Sequence, residues 1–311
     1  MATRKSNSTG KGQNKALPRR NCGVMSVHYW LLEQFPEFRV QQMAMEHSFT
    51  ASRRTAHIAP KKPFLINVVV HVLYASPAQK ISKAQVKGQI KVLNRDFRAA
   101  NPDRNKTPTI WSGLVTDPMI GFQLAKKDPA GHATDGIIYA PTTLLEFGQN
   151  DSMKDAARGG SNPWPTGKYL NIWVCILKDS LLGYAQFPGG PKATDGVVIS
   201  TTAFGTSGTA TAPFNLGRTC THEVGHYLNL RHIWGDTEDC SGSDFVADTP
   251  VAEAPNFHEP TFPHVSCQNG PNGDMFMNYM DYVDDAAMFM FTPEQVSRMQ
   301  TTLQGARRSL W

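Results

Sequence analysis

The run Thr219-Cys220-Thr221-His222-Glu223-Val224-Gly225-His226-Tyr227-Leu228-Asn229-Leu230-Arg231-His232 constrains the chain more than any other stretch. His222 and His226 stand four positions apart, which on a helix puts both rings on one face. Two imidazole nitrogens so placed hold a zinc ion at about 2.0–2.1 Å, and Glu223 falls beside the ion as a general base for its water. His232 follows six residues after His226 and reaches the same ion only if the backbone turns sharply in between. Three protein ligands with a fourth position open is the arrangement of catalytic rather than structural zinc. Asn229 stands where this long pattern usually carries glycine. The turn needs a left-handed backbone and Asn is among the few other residues that tolerate one, so strain is expected at 229.

With 311 residues, 40% of them hydrophobic, the chain is long enough for one large domain and an appendage. No run of about 18 apolar residues occurs, so no membrane span is expected, and the N-terminus is polar rather than shaped like an export signal. The formal net charge of +5 is concentrated in Arg4, Lys5, Lys11, Lys15, Arg19 and Arg20, with no acid before Asn21. Removing those six charges from +5 leaves −1 on the remainder, which argues against nucleic acid as a partner; the basic tail is expected to be solvated. Five cysteines leave at least one free thiol if the others pair. Cys240 and Cys267 flank a Pro-rich, loop-like segment and are expected to form a disulfide, worth about 3–4 kcal/mol, in an oxidising compartment.

Helical patterns cover residues 24–32 and, beyond Pro36, 37–49. Ser52-Arg53-Arg54-Thr55 then reads as a linker open to proteolysis, dividing 1–54 from 55–311. Residues 64–74 are rich in β-branched side chains and predict a strand buried on both faces. Ser82 caps a helix whose Val86, Ile90, Leu93 and Phe97 recur at helical spacing. Further strands are expected at 120–124, 169–177 and 195–200. Gly183, Tyr184 and Ala185 fall in an edge strand beside the metal motif, where an extended peptide adds by backbone hydrogen bonds. The metal helix is expected to run to about Leu230. From 235 to 290 the chain is loop-rich, and Thr292-Pro293-Glu294-Gln295 then opens a last helix with a capping box, its buried stripe made by Val296, Met299 and Leu303.

Taken together, these residues resemble the metzincin zinc peptidases, and within them the pappalysin family with its ulilysin-like members, over nearly the whole chain. The pieces that carry the likeness are the histidine motif, Leu182-Gly183-Tyr184-Ala185, Asp248-Thr249-Pro250 and Asn278-Tyr279-Met280-Asp281-Tyr282. The resemblance implies an α+β, zincin-like fold: a twisted mixed sheet with a backing helix and an active-site helix above the cleft. An upper subdomain would extend to about 234, and a loop-rich lower subdomain, 235–311, would end in a C-terminal helix. It also implies that Met280 forms a Met-turn beneath the metal and that Tyr282, a phenolic donor, helps stabilise the oxyanion. Asp285 would give the pocket after the scissile bond a preference for arginine, which a carboxylate can hold bidentately. Calcium is implied around Asp244, Asp248 and the backbones of Val246 and Thr249, a loop dense in oxygen donors.

Cys22-Gly23 resembles the family's cysteine switch, in which a pro-segment thiolate occupies the open zinc position until cleavage near Arg53 and Arg54 removes it. The family's usual second disulfide has no counterpart, because Ala287 stands at one of its positions. The expected function is a secreted, latent zinc endopeptidase acting on peptide or protein substrates and cutting before Arg or Lys. The alternative is a zinc-stabilised peptide-binding protein without turnover, against which the intact Glu223 argues.

Overall fold

The computed structural model describes residues 17–53, 60 and 62–311; Arg4, Lys5, Lys11, Lys15, Arg54 and the Arg53 side chain lie outside the described residues. At its centre is β1 (Phe64–Tyr74), paired in parallel with β2 (Ile120–Leu124) along its first half and β3 (Ile137–Pro141) along its second. On its other side β1 pairs in parallel with β4 (Leu170–Cys175), and the sheet continues through β6 (Val197–Ser200) to β5 (Gly183–Ala185). β5 runs antiparallel to β6 and forms the expected edge. The fold is thus α+β with a mixed sheet. β3 was not anticipated, because its five residues are mostly half-buried and end in a proline.

The period of two along a strand decides which helices cover which face. Phe64, Ile66, Val68, Val70 and Val72 of β1, with Leu170, Ile172 and Val174 of β4, belong to the main core. That core also takes in residues of α3 (Lys83–Asp96), α5 (Arg218–Tyr227) and α6 (Pro293–Gln304). Ser82 caps α3 as expected, its hydroxyl accepting the Gln85 N–H at 3.1 Å; a one-turn α4 (Thr109–Ser112) precedes β2. The opposite face carries Leu73, Trp173, Cys175, Tyr184 and Val198. Val24, Val27, Leu31 and Phe38 close that cluster from α1 (Val24–Gln34) and α2 (Pro36–Arg53). The N-terminal segment is therefore packed as part of the protein, each buried side chain contributing about 1.5–3 kcal/mol. β1 is buried on both faces from Val68 to Val72, while Leu65 near its start is 47% exposed.

Beyond α5 the chain is irregular, as its composition predicts. Two short strands, β7 (Phe257–His258) and β8 (Tyr282–Val283), pair in parallel, and Cys240 and Cys267 are disulfide-bonded. Cys22, Cys175 and Cys220 are free thiols. α6 opens with the capping box read from the sequence: the Thr292 hydroxyl accepts the Gln295 N–H, and the Gln295 side chain accepts the Thr292 N–H. The same hydroxyl donates to Asp248 at 2.7 Å, tying the loop to the helix start. Replacing Thr292 by alanine removes both bonds and is expected to lower stability by about 1–2 kcal/mol. Urea unfolding reads this directly; an unchanged midpoint would show that the cap contributes nothing.

Candidate active site

α5 presents His222, Glu223 and His226, and it stops at Tyr227 rather than near Leu230. The reason is Asn229, whose φ is +77°, so the left-handed residue foreseen from the sequence ends the helix instead of bending it. Leu230 N–H donates back to the Gly225 carbonyl and Asn229 N–H to the His226 carbonyl, both at 2.9 Å, which is a Schellman closure with Asn in the place of glycine. The chain leaves at a new angle and returns His232 to its two partners.

The Nε2 atom of His226 lies 3.0 Å from that of His222 and 3.0 Å from that of His232. Each ring is oriented through its other nitrogen. Nδ1 of His222 meets the Tyr279 carbonyl at 2.7 Å, Nδ1 of His226 the Leu230 carbonyl at 2.8 Å, and Nδ1 of His232 the Asp236 carboxylate at 2.5 Å. Those acceptors place the proton on Nδ1, so three Nε2 lone pairs face one another, an arrangement that suits a shared cation. Burial above all, then the neighbouring rings, holds His222 and His226 well below the usual imidazole range. Neutral imidazole is the ligand form. A zinc ion fits this donor set.

Met280 packs against the helix that carries the motif. A Cβ on Gly225 would come within 2.5 Å of the Met280 sulfur, so the glycine lets the methionine press against the helix under the cluster. Tyr282 stacks edge-on with His232, ring centres 4.9 Å apart, and its hydroxyl donates to the Cys22 carbonyl at 3.3 Å.

The fourth side of the cluster is filled by the chain's own N-terminal segment. The ligand atoms of Cys22, His222, His226 and His232 all lie within 4.8 Å of one another, and among the described residues this is the one such group of three or more. Cys22 is brought there by strand pairing: Leu182 N–H donates to the Asn21 carbonyl at 3.0 Å and Gly23 N–H to the Gly183 carbonyl at 2.9 Å, a parallel bridge to β5. Glycine is required at 183, where a Cβ would stand 2.8 Å from the Val198 carbonyl and 3.0 Å from Cγ of Glu223. The Tyr184 side chain turns to the far face, where its hydroxyl donates to Asp151 at 2.8 Å, so this residue can serve the cleft only through its backbone. Burial pushes the Glu223 carboxyl up to about 8, opposed by the Cys22 thiol and the Arg20 guanidinium. Both of its carboxylate oxygens are buried without a hydrogen-bond partner. Burial, and then the Glu223 carboxylate, hold the Cys22 thiol well above its usual range.

Arg20 corrects the sequence reading, which assigned it to a solvated basic tail. It is 3% exposed and donates to Asp285 at 2.7 Å, to Thr219 at 2.9 Å and to the Val283 carbonyl at 3.1 Å. Asp285 is fully buried and accepts in addition from the backbone N–H of Leu216 and Arg218. Charge density alone hides one arginine with a buried partner; its place two residues before Cys22 was the available signal. Asp236 was also missed, since a loop acid gains its meaning only when folding sets it against His232. The oxygens of the acidic loop are committed to separate partners. Asp244 accepts from Val246 N–H and the Thr249 hydroxyl, whereas Asp248 accepts from Thr292 and Glu294 N–H at the start of α6.

Comparison with known proteins agrees with this geometry. Residues 154–304 match the Peptidase_M43 family, described as pregnancy-associated plasma protein-A. An extracellular metalloprotease of Arthroderma gypseum is 31% identical over 272 residues, covering 84% of this chain and 78% of that one. Another from Verticillium alfalfae is 34% identical over 248 residues, covering 76% and 74%. Mature mirolysin of Tannerella forsythia in complex with a cleaved peptide superposes with a TM-score of 0.79 at 49% identity, covering 81% of this chain and 96% of that one. A mutant of T. forsythia promirolysin superposes with a TM-score of 0.86 at 44% identity, covering 94% and 97%. The motif on α5, Met280 packed against it and these relatives lead to one conclusion: the chain belongs to the Peptidase_M43 (pappalysin) family of metalloproteases.

Proposed function

We propose that the chain is the latent form of a secreted zinc endopeptidase, with residues 1–54 as basic tail and inhibitory pro-segment and 55–311 as the catalytic domain, its subdomains meeting at about 234. The observation that carries this reading is the convergence of the Cys22 thiol and three imidazole nitrogens within 4.8 Å. His222, His226 and His232 would hold the zinc, and Cys22 would take the remaining position. When bound there, zinc supplies Lewis acidity and lowers the pKa of a coordinated water toward about 7.

The protein groups divide the remaining work. Glu223 is the base: in the closed form it is buried beside the Cys22 thiol, and burial raises its carboxyl. Removing the pro-segment admits water to the cleft and lowers that desolvation, which favours the carboxylate. Glu223 then accepts a proton during attack and delivers it to the leaving amine. Tyr282 donates its phenolic hydrogen to a carbonyl of the segment lying in the cleft, as it does to Cys22, and this contact supports a role at the developing oxyanion. β5 would take the substrate backbone through Gly183 to Ala185. The Arg20–Asp285 pair supports a preference for Arg or Lys after the scissile bond, with the pro-segment placing its own guanidinium in that pocket. Opening would follow cleavage near Arg53 and Arg54. A structural calcium ion in the loop of Asp244, Val246, Asp248 and Thr249 is part of the proposal, supported by burial that pushes Asp244 up to about 7 without a cationic side chain bonded to it.

Glu223→Gln is expected to reduce cleavage of a mixed peptide library by at least about a hundredfold while the zinc content stays at wild-type level. Undiminished cleavage would refute the mechanism, and a wild-type chain that binds zinc without cutting after processing would favour the non-catalytic alternative. In the full-length chain, Cys22→Ala should release activity before any processing by removing the thiol from the cluster, and Arg20→Ala by leaving Asp285 buried without its cationic partner, at a cost of about 3–5 kcal/mol. Continued latency in both variants would rule out the switch. Chelating calcium selectively should lower the melting temperature, and adding it back should restore it; a curve indifferent to calcium at millimolar levels disposes of that ion.

A further inference from the structure

Between Tyr227 and His232 the chain is no longer helical, yet it must deliver His232 to within 3.0 Å of His226. Two of its carbonyls point away from the cluster into the protein, where an unpartnered acceptor is costly. The Tyr227 carbonyl accepts Nε–H of Arg307 at 2.8 Å, and the Asn229 carbonyl accepts Nε–H of Arg298 at 2.5 Å. Both arginines come from the C-terminal part of the chain, Arg298 from α6 and Arg307 from the segment just beyond it. Neither touches the histidines. Each guanidinium is itself fixed from the far side: Arg307 by both oxygens of Asp195, at 2.7 and 2.8 Å, and Arg298 by both oxygens of Glu46. Arg307 also lies over the Tyr227 ring, 3.4 Å from its centre.

The two far partners differ in kind. Asp195 precedes β6 and belongs to the core, while Glu46 is on α2 in the N-terminal segment. Burying a guanidinium requires such a carboxylate partner, and a cation is well placed at the C-terminal end of a helix.

We propose that Arg298 and Arg307 are positioning residues that clamp the metal-binding turn, and that Glu46 of the N-terminal segment completes one half of the clamp. The proposal rests on the reading of the histidine cluster as a zinc site. The planar fork of arginine suits the task, because Nε serves the turn while the two terminal nitrogens serve the carboxylate. Lysine carries its three donors on one nitrogen and cannot span the turn and the carboxylate as a fork does. Latency and metal retention are then linked through one side chain: while α2 is docked, Arg298 is held at both ends, and once α2 leaves, its carboxylate partner is gone and its contacts with the turn and the Phe245 ring remain.

The test is zinc release from the full-length chain to a chromogenic chelator, with His226→Ala as the control that identifies the site. Arg298→Met and Arg307→Met are each expected to release zinc about tenfold faster or more than wild type, the range seen when groups that orient metal ligands are removed. Arg298→Lys and Arg307→Lys should fall between, and Glu46→Gln should resemble Arg298→Lys. Melting of the metal-free chains separates positioning from general stability. Variants that melt lower without zinc but release it at the wild-type rate would overturn the proposal, as would Glu46→Gln accelerating release no more than a distant surface change. Should Arg307→Met fail to fold, the lysine variants and Arg298→Met decide the matter. A wild-type chain that takes up no zinc, or a His226→Ala chain that takes up as much, would sink both the clamp and the functional reading. Zinc uptake without peptide cleavage would count against the functional reading alone.

Discussion

Three imidazole lone pairs, those of His222 and His232 each on a nitrogen 3.0 Å from that of His226, are the constraint on which the rest of the structure depends. Such an arrangement is unfavourable unless a cation is shared, and it persists only if each ring is oriented independently of the others. The orienting acceptors come from three places: the carbonyl of Tyr279 before Met280, the carbonyl of Leu230 in the turn after α5, and the carboxylate of Asp236 in the loop beyond. A displacement of any of them rotates one ring out of the cluster. The segment of Tyr279 and Met280 must therefore sit close under the helix, which explains the bare backbone at Gly225 against the Met280 sulfur. The loop-rich stretch after α5 is tied down by a disulfide and by the bonds of Asp248 to α6, so that few regular hydrogen bonds are needed to keep it in register.

The N-terminal segment is held by two kinds of force with different consequences. Its helices bury Val24, Val27, Leu31 and Phe38 against the sheet, and this apolar contact supplies most of the affinity. Arg20 and Cys22 add contacts whose net worth is smaller, since a buried ion pair must first lose its water. What they add is register. The three hydrogen bonds of Arg20, to the fully buried Asp285 carboxylate, the Thr219 hydroxyl and the Val283 carbonyl, and the strand pairing at Leu182 and Gly183 leave one position for the Cys22 sulfur. While the segment is covalently attached, even modest contacts hold it, because the encounter is intramolecular; a cut between it and β1 would remove that advantage.

How far this could be read from the sequence depended on whether the relevant physics was local. Ser82 and Thr292 act on residues three positions away, so their capping was legible and the hydrogen bonds are there. The spacing of His222 and His226 is fixed by helix geometry, and the need for a turn before His232 follows from it. By contrast, β3, β7 and β8 exist only because a partner strand supplies hydrogen bonds, and two to five half-buried residues leave no periodic trace. Arg20 looked like one of six tail charges because its partner Asp285 is 265 residues away. Helix length failed for a similar reason: Leu228 and Leu230 continue an apolar pattern that a single left-handed residue between them overrides.

That residue, Asn229, also joins the separate observations. A non-glycine residue in the left-handed region costs on the order of 1 kcal/mol or more, and persists where the surroundings over-determine it. Its side-chain oxygen has no partner, so the side chain itself does not offset the strain. The backbone is held instead from both directions, Asn229 N–H by the His226 carbonyl and Asn229 C=O by Arg298. Glycine at 229 would relieve the strain but widen the conformations open to the turn. With asparagine and a guanidinium in its place, the turn gains definition from contacts outside itself, and the position of His232 becomes a property of α6 and α2 as well as of α5. On the proposed reading of the cluster, the turn that carries His232 is held from the C-terminal helix inward, and the N-terminal segment reaches it through Glu46 and Arg298 as well as through Cys22.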